Sequence, residues 1–229
     1  MVIKAVFFDV GEVLVNETRE YGTWADWLGV SRHEFSAVFG SVIATGRDYR
    51  EVFQVFRPSF DLTVERQRRA EAGKPETFDE QDLYPDVRAC LSELQRQRIL
   101  VGVAGNQTIR AEGILRDLKL PLDVLGTSSS WGADKPSDKF FHRLLAEADA
   151  PPENVLYVGD RLDWDVRPAQ ALGLKTALVR RGPWGRILAD ADVERALLFD
   201  IPNLSSLANL VEQYNATGEY LGRRDIPFS

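Results

Sequence analysis

Four short, nearly continuous apolar runs recur along the chain and constrain its fold more than any other feature. They span residues 3–8, 99–104, 155–158 and 175–179. An apolar run of this length is typical of a strand that is buried on both faces of a parallel sheet. Residues at helical spacing fill the gaps and predict helices at residues 86–96, 109–118, 139–148 and 165–172. Strands that alternate with helices form right-handed βαβ units, so we expect an α/β fold around a parallel sheet.

The segment from residue 16 to residue 84 departs from this rhythm. β-rich runs are few there, whereas large apolar residues recur at helical spacing, namely Trp24, Trp27, Leu28, Phe35 and Phe39. We interpret residues 16–84 as a helical cap inserted into a core of residues 1–15 and 85–218, and we expect Trp24 to pack inside the cap with Trp27. Residues 219–229 hold few apolar side chains and are interpreted as a C-terminal tail. Because the cap follows the first strand directly, its base should lie over the carboxyl ends of the strands, where open α/β sheets bind ligands.

The charge balance limits the kinds of partner. The net charge of −7 argues against binding to nucleic acid or to an anionic membrane surface, because both demand a basic face. Cys90 falls among apolar residues at helical spacing and is expected in the core, so no disulfide is predicted. The first apolar run is too short for a signal peptide or a membrane span, and a cytoplasmic location is therefore expected. Neither the composition nor the net charge determines the oligomeric state.

Polar residues follow three of the predicted strands. They are Asp9 after the first strand, Gly105 and Asn106 after the second, and Asp160 after the third, with Asp163 and Asp165 shortly beyond. Parallel strands bring these ends to one edge of the sheet, where crowded carboxylates repel one another unless a cation lies between them. Mg²⁺ suits such a place because it binds a few carboxylates together with water and phosphate oxygens. Lys135, in a loop ahead of a helix, would neutralise both a carboxylate and an incoming phosphate.

Four motifs occur in an order that resembles a known superfamily. Residues 7–14, residues 101–106, the pair Lys135-Pro136 and residues 158–165 resemble the motifs of the haloacid dehalogenase (HAD) superfamily of aspartyl-phosphate phosphatases and their relatives. The resemblance covers nearly the whole chain. It implies a Rossmann-like parallel sheet core, with a helical cap inserted where members of the first cap type carry theirs.

The resemblance also implies a nucleophile and a set of metal ligands. Asp9 would attack phosphorus to form an aspartyl-phosphate and would bind Mg²⁺. Asp160 would be the second metal ligand, and Asp165 would support the metal directly or through water. The backbone carbonyl of Gly11 would complete the protein's share, whereas Asp163 is interpreted as a solvated loop residue.

The same resemblance implies how phosphate is held. Lys135 would bind both Asp9 and the phosphate. The backbone near Gly105 and Asn106, together with Gly11, would surround the phosphate oxygens. A small phosphorylated metabolite is the partner expected for such a site.

Two positions depart from the family's usual residues. Most phosphatase members carry a second Asp two residues after the nucleophile, which protonates the leaving group and then activates water, and here that residue is Gly11. Losing a positioned general acid and base typically costs about 10²–10⁴ in rate. The second motif usually ends in Ser or Thr, and here it ends in Gly105. Glu12 is the nearest replacement acid, although its side chain should point away, and Thr108 would supply a hydroxyl only if its loop curls back.

These residues favour a Mg²⁺-dependent phosphatase that acts on a small phosphorylated metabolite, such as a sugar phosphate. Two alternatives stay open, a catalytically weak or inactive family member and a metal-independent hydrolase of the dehalogenase type. A dehalogenase would need a halide-binding group near the cap, for which Arg47 and Trp24 are candidates. The presence of both Asp160 and Asp165 favours phosphoryl transfer, because a dehalogenase needs no Mg²⁺. Residues 46–51 of the cap carry cations and hydroxyl groups suited to a sugar or a carboxylate.

Overall fold

One parallel sheet forms the centre of the fold. In the computed structural model, which describes residues 2–218, its strands are β1 (Ala5–Phe8), β2 (Leu100–Gly105), β3 (Val124–Thr127), β4 (Val155–Gly159), β5 (Lys175–Val179) and β6 (Phe199–Ile201). The six strands lie in the order β3-β2-β1-β4-β5-β6, and every neighbouring pair is parallel. The α/β fold with a Rossmann-like sheet, predicted from the apolar runs and the motifs, is confirmed.

The two edge strands, β3 and β6, could not be predicted from the sequence. β3 contains only VLGT and β6 only FDI, so neither forms an apolar run of its own. In β6, Asp200 is exposed between the buried residues Phe199 and Ile201. Strands at the edge of a sheet need fewer apolar residues than central strands, because one side is not covered by a neighbour.

Twelve α-helices lie within residues 2–218. They are α1 (Thr18–Leu28), α2 (Arg32–Ala44), α3 (Glu51–Phe56), α4 (Leu62–Glu71), α5 (Val87–Arg96), α6 (Ile109–Asp117), α7 (Ser128–Trp131), α8 (Asp138–Ala148), α9 (Arg167–Ala171), α10 (Gly182–Ile187), α11 (Ala191–Arg195) and α12 (Leu207–Thr217). Three of the four predicted helices are α5, α6 and α8, and the fourth is a π-helical turn at Leu162–Val166 that continues into α9. α5 buries Val87, Cys90, Leu91 and Leu94 on one face, so the prediction of a core cysteine is confirmed.

Consecutive residues of β1 point into different layers of the core. Val6 and Phe8 join the apolar layer on one face of the sheet, whereas Ala5 and Phe7 join the layer on the other face. This alternation of period two buries all four side chains. Gly102 of β2 is required beside Phe7, because a Cβ there would lie 2.3 Å from the Phe7 ring. The loop that leaves β1 therefore starts from a strand that packing holds firmly on both faces.

Helices α1 to α4 lie within the predicted cap and form an apolar cluster of their own. The cluster contains Trp24, Ala25, Phe35, Phe39, Val42, Ile43, Val52, Phe53 and Phe60, together with Trp184 of α10. Trp24 and Trp27 pack in and against this cluster as predicted, and their Nε1 atoms donate to Glu76 and Glu65, each at 2.8 Å. No β-strand occurs between residues 16 and 84 of the described chain.

Two linkers, at residues 14–16 and 82–84, join this helical segment to the sheet. They are hydrogen-bonded to each other. The N–H of Asn16 donates to the carbonyl of Asp82 at 2.8 Å, and the N–H of Tyr84 donates to the carbonyl of Leu14 at 3.0 Å. The pairing fixes where the chain leaves and re-enters the region next to Asp9. The boundaries of the core and the cap themselves remain a prediction.

The predicted tail, residues 219–229, lies outside the described residues. Among residues 2–218, no helix combines the length and the apolar character that crossing a membrane requires. The cytoplasmic location remains a prediction.

Candidate active site

Three neighbouring strands end at the candidate site. Asp9 follows β1, Gly105 ends β2 and Asp160 follows β4. Because β1 lies between β2 and β4 and all three run parallel, their carboxyl ends meet side by side. The structure therefore brings together the strand ends that the sequence singled out.

Asp9, Asp160 and Asp165 form a buried acidic cluster. One carboxylate oxygen of each lies within 4.8 Å of the others. The π-helical turn after β4 folds Asp165 back into the cluster, and its Oδ2 accepts a hydrogen bond from the N–H of Arg161 at 3.0 Å. Gly159 makes room for this turn, since a Cβ there would lie 2.3 Å from Asp165 Oδ2. Turns of this kind often occur at functional sites.

Lys135 is a buried cation between two of these carboxylates. Its Nζ lies 2.8 Å from Asp9 Oδ1 and 2.6 Å from Asp165 Oδ1. Burial opposes the ammonium charge, but Asp165 and Asp9 outweigh burial and raise the pKa of Lys135 well above its ordinary value. Lys135 therefore carries a positive charge at neutral pH and offsets part of the negative charge of the cluster.

The side chain of Asn106 fixes the loop that carries Lys135. Its amide nitrogen donates to the carbonyl of Lys135 at 2.9 Å, and its Oδ1 accepts from the N–H of Lys135 at 2.8 Å. These two opposed hydrogen bonds hold the loop against the end of β2. Sequence reasoning expected Asn106 to act through its backbone and missed this contact, because its partner lies 29 residues away.

The donors of the acidic cluster suit a hard divalent cation. Asp160 Oδ2 is buried and accepts no hydrogen bond from any described residue. Burial and repulsion from Asp165 and Asp9 raise the pKa of Asp160 well above its ordinary value, and burial raises the pKa of Asp165 to about 6. Three carboxylates around one ammonium leave negative charge uncompensated, and carboxylate oxygens are ligands that Mg²⁺ prefers. The residues therefore fit Mg²⁺, with the unpaired oxygen of Asp160 as the clearest ligand, since both oxygens of Asp165 already accept hydrogen bonds.

Comparison with known proteins identifies the family. The sequence profile of the haloacid dehalogenase-like hydrolases matches residues 3–173 of the chain. The chain belongs to this family. The matched region of this HAD-like hydrolase includes Asp9, Lys135, Asp160 and Asp165.

Two relatives and one solved structure illustrate the similarity. A ribulose-1,5-bisphosphate 5-phosphatase from Halopiger xanaduensis is 32% identical over 140 residues, and the match spans 58% of this chain and 59% of that protein. A glyceraldehyde 3-phosphate phosphatase from Pyrococcus furiosus is 24% identical over 234 aligned positions, which span 94% of this chain and 95% of that protein. The magnesium-bound HAD-hydrolase YfnB from Bacillus subtilis superimposes with a TM-score of 0.69 at 16% identity, covering 92% of this chain and 99% of that one. The last similarity supports the fold alone.

The space beside Gly11 in this HAD-like hydrolase is filled by Glu17. Gly11 lines the cavity of the acidic cluster, and a Cβ on Gly11 would lie 2.4 Å from Glu17 Oε1. Burial and the nearby carboxylates of Glu20 and Glu12 raise the pKa of Glu17 well above its ordinary value. Sequence reasoning missed Glu17, because no motif links the start of the cap to the loop after β1. The missing side chain at Gly11 was the one signal that some other group should be sought.

Glu12 holds the two linkers. Its Oε2 accepts a hydrogen bond from the Tyr84 hydroxyl at 2.6 Å, and its Oε1 accepts one from the N–H of Glu17 at 3.3 Å. Glu12 has a φ of 53°, in the left-handed region, and Gly182 leaves room for it, since a Cβ there would lie 2.4 Å from Glu12 Cγ. The prediction that this side chain points away from the position beside Asp9 is confirmed.

Gly105 lies directly against the proposed nucleophile. A Cβ on Gly105 would lie 2.5 Å from Asp9 Oδ1 and 3.3 Å from Val10 Cγ2. A Ser or Thr at this position would therefore displace Asp9. Thr108 does not replace the missing hydroxyl, because its Oγ1 caps α6 by accepting from the N–H of Ala111 at 3.1 Å.

Aromatic rings and an arginine form a rim around the cavity. The Arg161 guanidinium lies 3.9 Å from the ring centroid of Trp164 and 4.8 Å from that of Trp184. Tyr49, in the predicted substrate segment of the cap, packs edge-on against both tryptophans. Asp163 is 42% exposed and pairs with Arg161, so its side chain is solvated as predicted, although it lies in the π-helical turn and not in a loop.

Neither halide candidate lines this cavity. Arg47 is exposed and forms an ion pair with Glu51. Trp24 is buried within the cap cluster and lines the neighbouring cavity between the cap and α6.

Proposed function

We propose that this HAD-like hydrolase is a Mg²⁺-dependent phosphatase that acts on a small sugar phosphate through an aspartyl-phosphate at Asp9. The observation that carries the proposal is the contact between Asp9 and the buried Lys135, next to the unpaired oxygen of Asp160. Fixed positive charge beside a carboxylate lowers its repulsion from a phosphate. The relatives support the substrate class, since both names describe phosphatases of small sugar phosphates.

The residues of the chain would carry out the transfer in two steps. Asp9 first attacks phosphorus while the bond between phosphorus and the sugar oxygen breaks. Water then attacks the phosphorus of the aspartyl-phosphate and releases inorganic phosphate. Lys135 offsets the charge of Asp9 throughout, and the backbone N–H groups near Gly105 and Asn106 hold the phosphate oxygens.

Mg²⁺ would bind where the acidic cluster leaves negative charge uncompensated. Asp9 and Asp160 would be its carboxylate ligands, and Gly11 would offer its backbone carbonyl. Asp165 would support the site by holding Lys135. When bound, the ion supplies positive charge to the phosphate oxygens.

The two alternative functions account for less of the site. A metal-independent dehalogenase has no use for the buried, unpaired oxygen of Asp160, and the candidate Arg47 is already paired with Glu51. A catalytically weak family member would account for glycine at positions 11 and 105. It would not account for a complete ion-paired cluster of Asp9, Lys135 and Asp165.

Phosphate release from a panel of sugar phosphates and from p-nitrophenyl phosphate, with Mg²⁺ and with EDTA, tests the proposal. We expect Mg²⁺-stimulated release that Asp9→Asn abolishes. Asp117→Asn, the same change at an exposed position at the end of α6, should retain the parent rate. Release from Asp9→Asn at the parent rate would refute the mechanism. Hydrolysis that survives EDTA would favour the dehalogenase type, and no release from any compound would favour the inactive member.

A further inference from the structure

The proposed reaction lacks a proton-transfer side chain at residue 11, and another carboxylate stands in that place. An ideal Cβ on Gly11 would lie 2.4 Å from Oε1, 2.8 Å from Cδ and 3.2 Å from Oε2 of Glu17. All three distances are shorter than ordinary contacts between unbonded heavy atoms. The Glu17 carboxylate therefore occupies the space in which the side chain of an acidic residue 11 would begin.

The backbone of Glu17 is fixed, whereas its carboxylate is free. The N–H of Glu17 donates to Glu12 Oε1 at 3.3 Å, and its carbonyl accepts from the N–H of Tyr21 at 3.0 Å. Within residues 2–218, no hydrogen bond or ion pair engages the carboxylate. The group lines the same cavity as Asp9 and Lys135. The carboxylate is therefore available to a molecule bound in this cavity.

The acidic cluster that fits Mg²⁺ does not include Glu17. Among the described residues, the carboxylates close enough to share one ion are those of Asp9, Asp160 and Asp165. Glu17 instead approaches the cavity at Gly11. Its placement thus differs from that of a metal ligand and overlaps the space in which an acidic side chain at residue 11 would begin.

We propose that Glu17 is the proton-transfer residue of this hydrolase, acting from the space that Gly11 leaves open. The inference rests on the proposed phosphatase function. In the first step, the Glu17 carboxyl donates its proton to the sugar oxygen as the bond from that oxygen to phosphorus breaks and the bond from Asp9 to phosphorus forms. In the second step, the Glu17 carboxylate takes a proton from the attacking water as the bond between Asp9 and phosphorus breaks. Inorganic phosphate leaves, Asp9 returns to a carboxylate and Glu17 is again protonated.

The first test removes the transferable proton but keeps the shape of the side chain. Glu17→Gln is compared with the parent in Mg²⁺ by rapid-mixing kinetics, with p-nitrophenyl phosphate and with a sugar monophosphate. p-Nitrophenolate leaves without a proton, so the rate of the first turnover of Glu17→Gln should stay within about tenfold of the parent rate. Later turnovers need a base to activate water, so their rate should fall by about 10²–10⁴. A sugar needs the proton, so its first turnover should slow by a similar factor. Glu34→Gln, the same change on an exposed carboxylate of α2, should behave as the parent.

The outcomes separate this inference from the proposed function. If Glu17→Gln hydrolyses the sugar phosphate as fast as the parent, while Asp9→Asn is inactive, the role of Glu17 is refuted and the phosphatase stands. If the parent itself releases no phosphate in Mg²⁺, both are refuted. If Glu17→Gln loses the initial p-nitrophenol burst and its Tm falls as well, Glu17 acts in folding and the inference is again overturned.

A second test moves the acid back to residue 11. Gly11→Asp alone should lower activity, because its Cβ would collide with the Glu17 carboxylate. Glu17→Gly alone should lower it as well, by removing the acid, although glycine remains an acceptable residue at the start of a helix. The double variant Gly11→Asp/Glu17→Gly has both the acid and the space, and it should be at least about tenfold more active than Glu17→Gly. A double variant no better than Glu17→Gly would show that the two positions are not equivalent.

Discussion

Replacing Lys135 by Met would leave Asp9 and Asp165 buried side by side without their cation. The Lys135 side chain is 2% exposed, and its Nζ lies 2.8 Å and 2.6 Å from the two carboxylates, so both ion pairs are shielded from water. Removing one partner of a buried pair typically costs about 3–5 kcal/mol, because the charge that remains is still buried. For a chain of this size, such a loss lowers Tm by about 6–20 °C. We expect this effect in EDTA, where no added cation compensates the cluster.

Urea unfolding in EDTA at pH 7 measures the loss directly. Lys139→Met, which changes an exposed lysine at the start of α8, should stay within about 0.5 kcal/mol of the parent. The double variant Lys135→Met/Asp165→Asn should recover part of the lost free energy of unfolding, because it removes one of the two buried carboxylates that lack a cation. Mg²⁺ should stabilise Lys135→Met more than the parent, since the variant has more negative charge to neutralise. If Lys135→Met unfolds within about 1 kcal/mol of the parent in EDTA, the two carboxylates do not depend on Lys135 and the reasoning is refuted.

Three further predictions concern the surroundings of the site. Gly105→Ser restores the hydroxyl that is usual in the family. It should nevertheless lower kcat about tenfold or more, because its Cβ would push Asp9 from its position. A higher kcat in steady-state assays would contradict this expectation. Burial raises the pKa of Glu20 from 4.5 to about 7, so the folded protein binds this proton more tightly than the unfolded chain and loses stability as pH rises through that window. Glu20→Gln should therefore raise the free energy of unfolding by about 1–3 kcal/mol at pH 8 and leave it nearly unchanged at pH 4, and an equal gain at both values would exclude the pKa as its cause. Trp184→Ala should cost about 3–5 kcal/mol, because the ring packs against Phe39 in the cap cluster, and a loss below about 1 kcal/mol in urea unfolding would show that the cluster does not depend on it.

Burial decides which elements could be predicted from the sequence. β1, β2, β4 and β5 have neighbours on both sides and are covered on both faces, so each consists largely of apolar residues. β3 and β6 lie at the edges, are short and contain few apolar residues, so local sequence does not distinguish them from loops. The short helices α7, α10 and α11 do not span enough turns to show a period, whereas α9 could be predicted because the π-helical turn before it extends the pattern. α12 does show one, with Leu207, Val211 and Tyr214 buried, and was open to prediction.

The candidate site also has a part that could be predicted and a part that could not. Strand order determines which residues come together, whereas the direction of each side chain depends on its contacts in the folded chain. Asp9 follows the central strand, and its neighbours in the sheet determine which other residues approach it. The direction of a loop side chain depends on the partners that the folded chain brings near it. Asn106 turns toward the Lys135 loop, Thr108 turns toward α6, and Glu17 turns toward the loop after β1. Only the direction of Thr108 follows from its residue type and its position directly before a helix; the other two depend on contacts made by the folded chain.

The paired linkers bear on how this protein can be recombined with its relatives. Exchanging residues 16–84 for the helical insertion of a relative is a way to change the substrate-binding part of the protein while the core is kept. The exchanged segment, however, includes Glu17, whose carboxylate stands at Gly11, and Asp82, which pairs with Asn16. A chimera joined after residue 17 keeps this carboxylate, whereas one joined at residue 16 discards it together with the helices. The hydrogen bond between residues 16 and 82 joins backbone atoms, so it survives any exchange that preserves the path of the linkers.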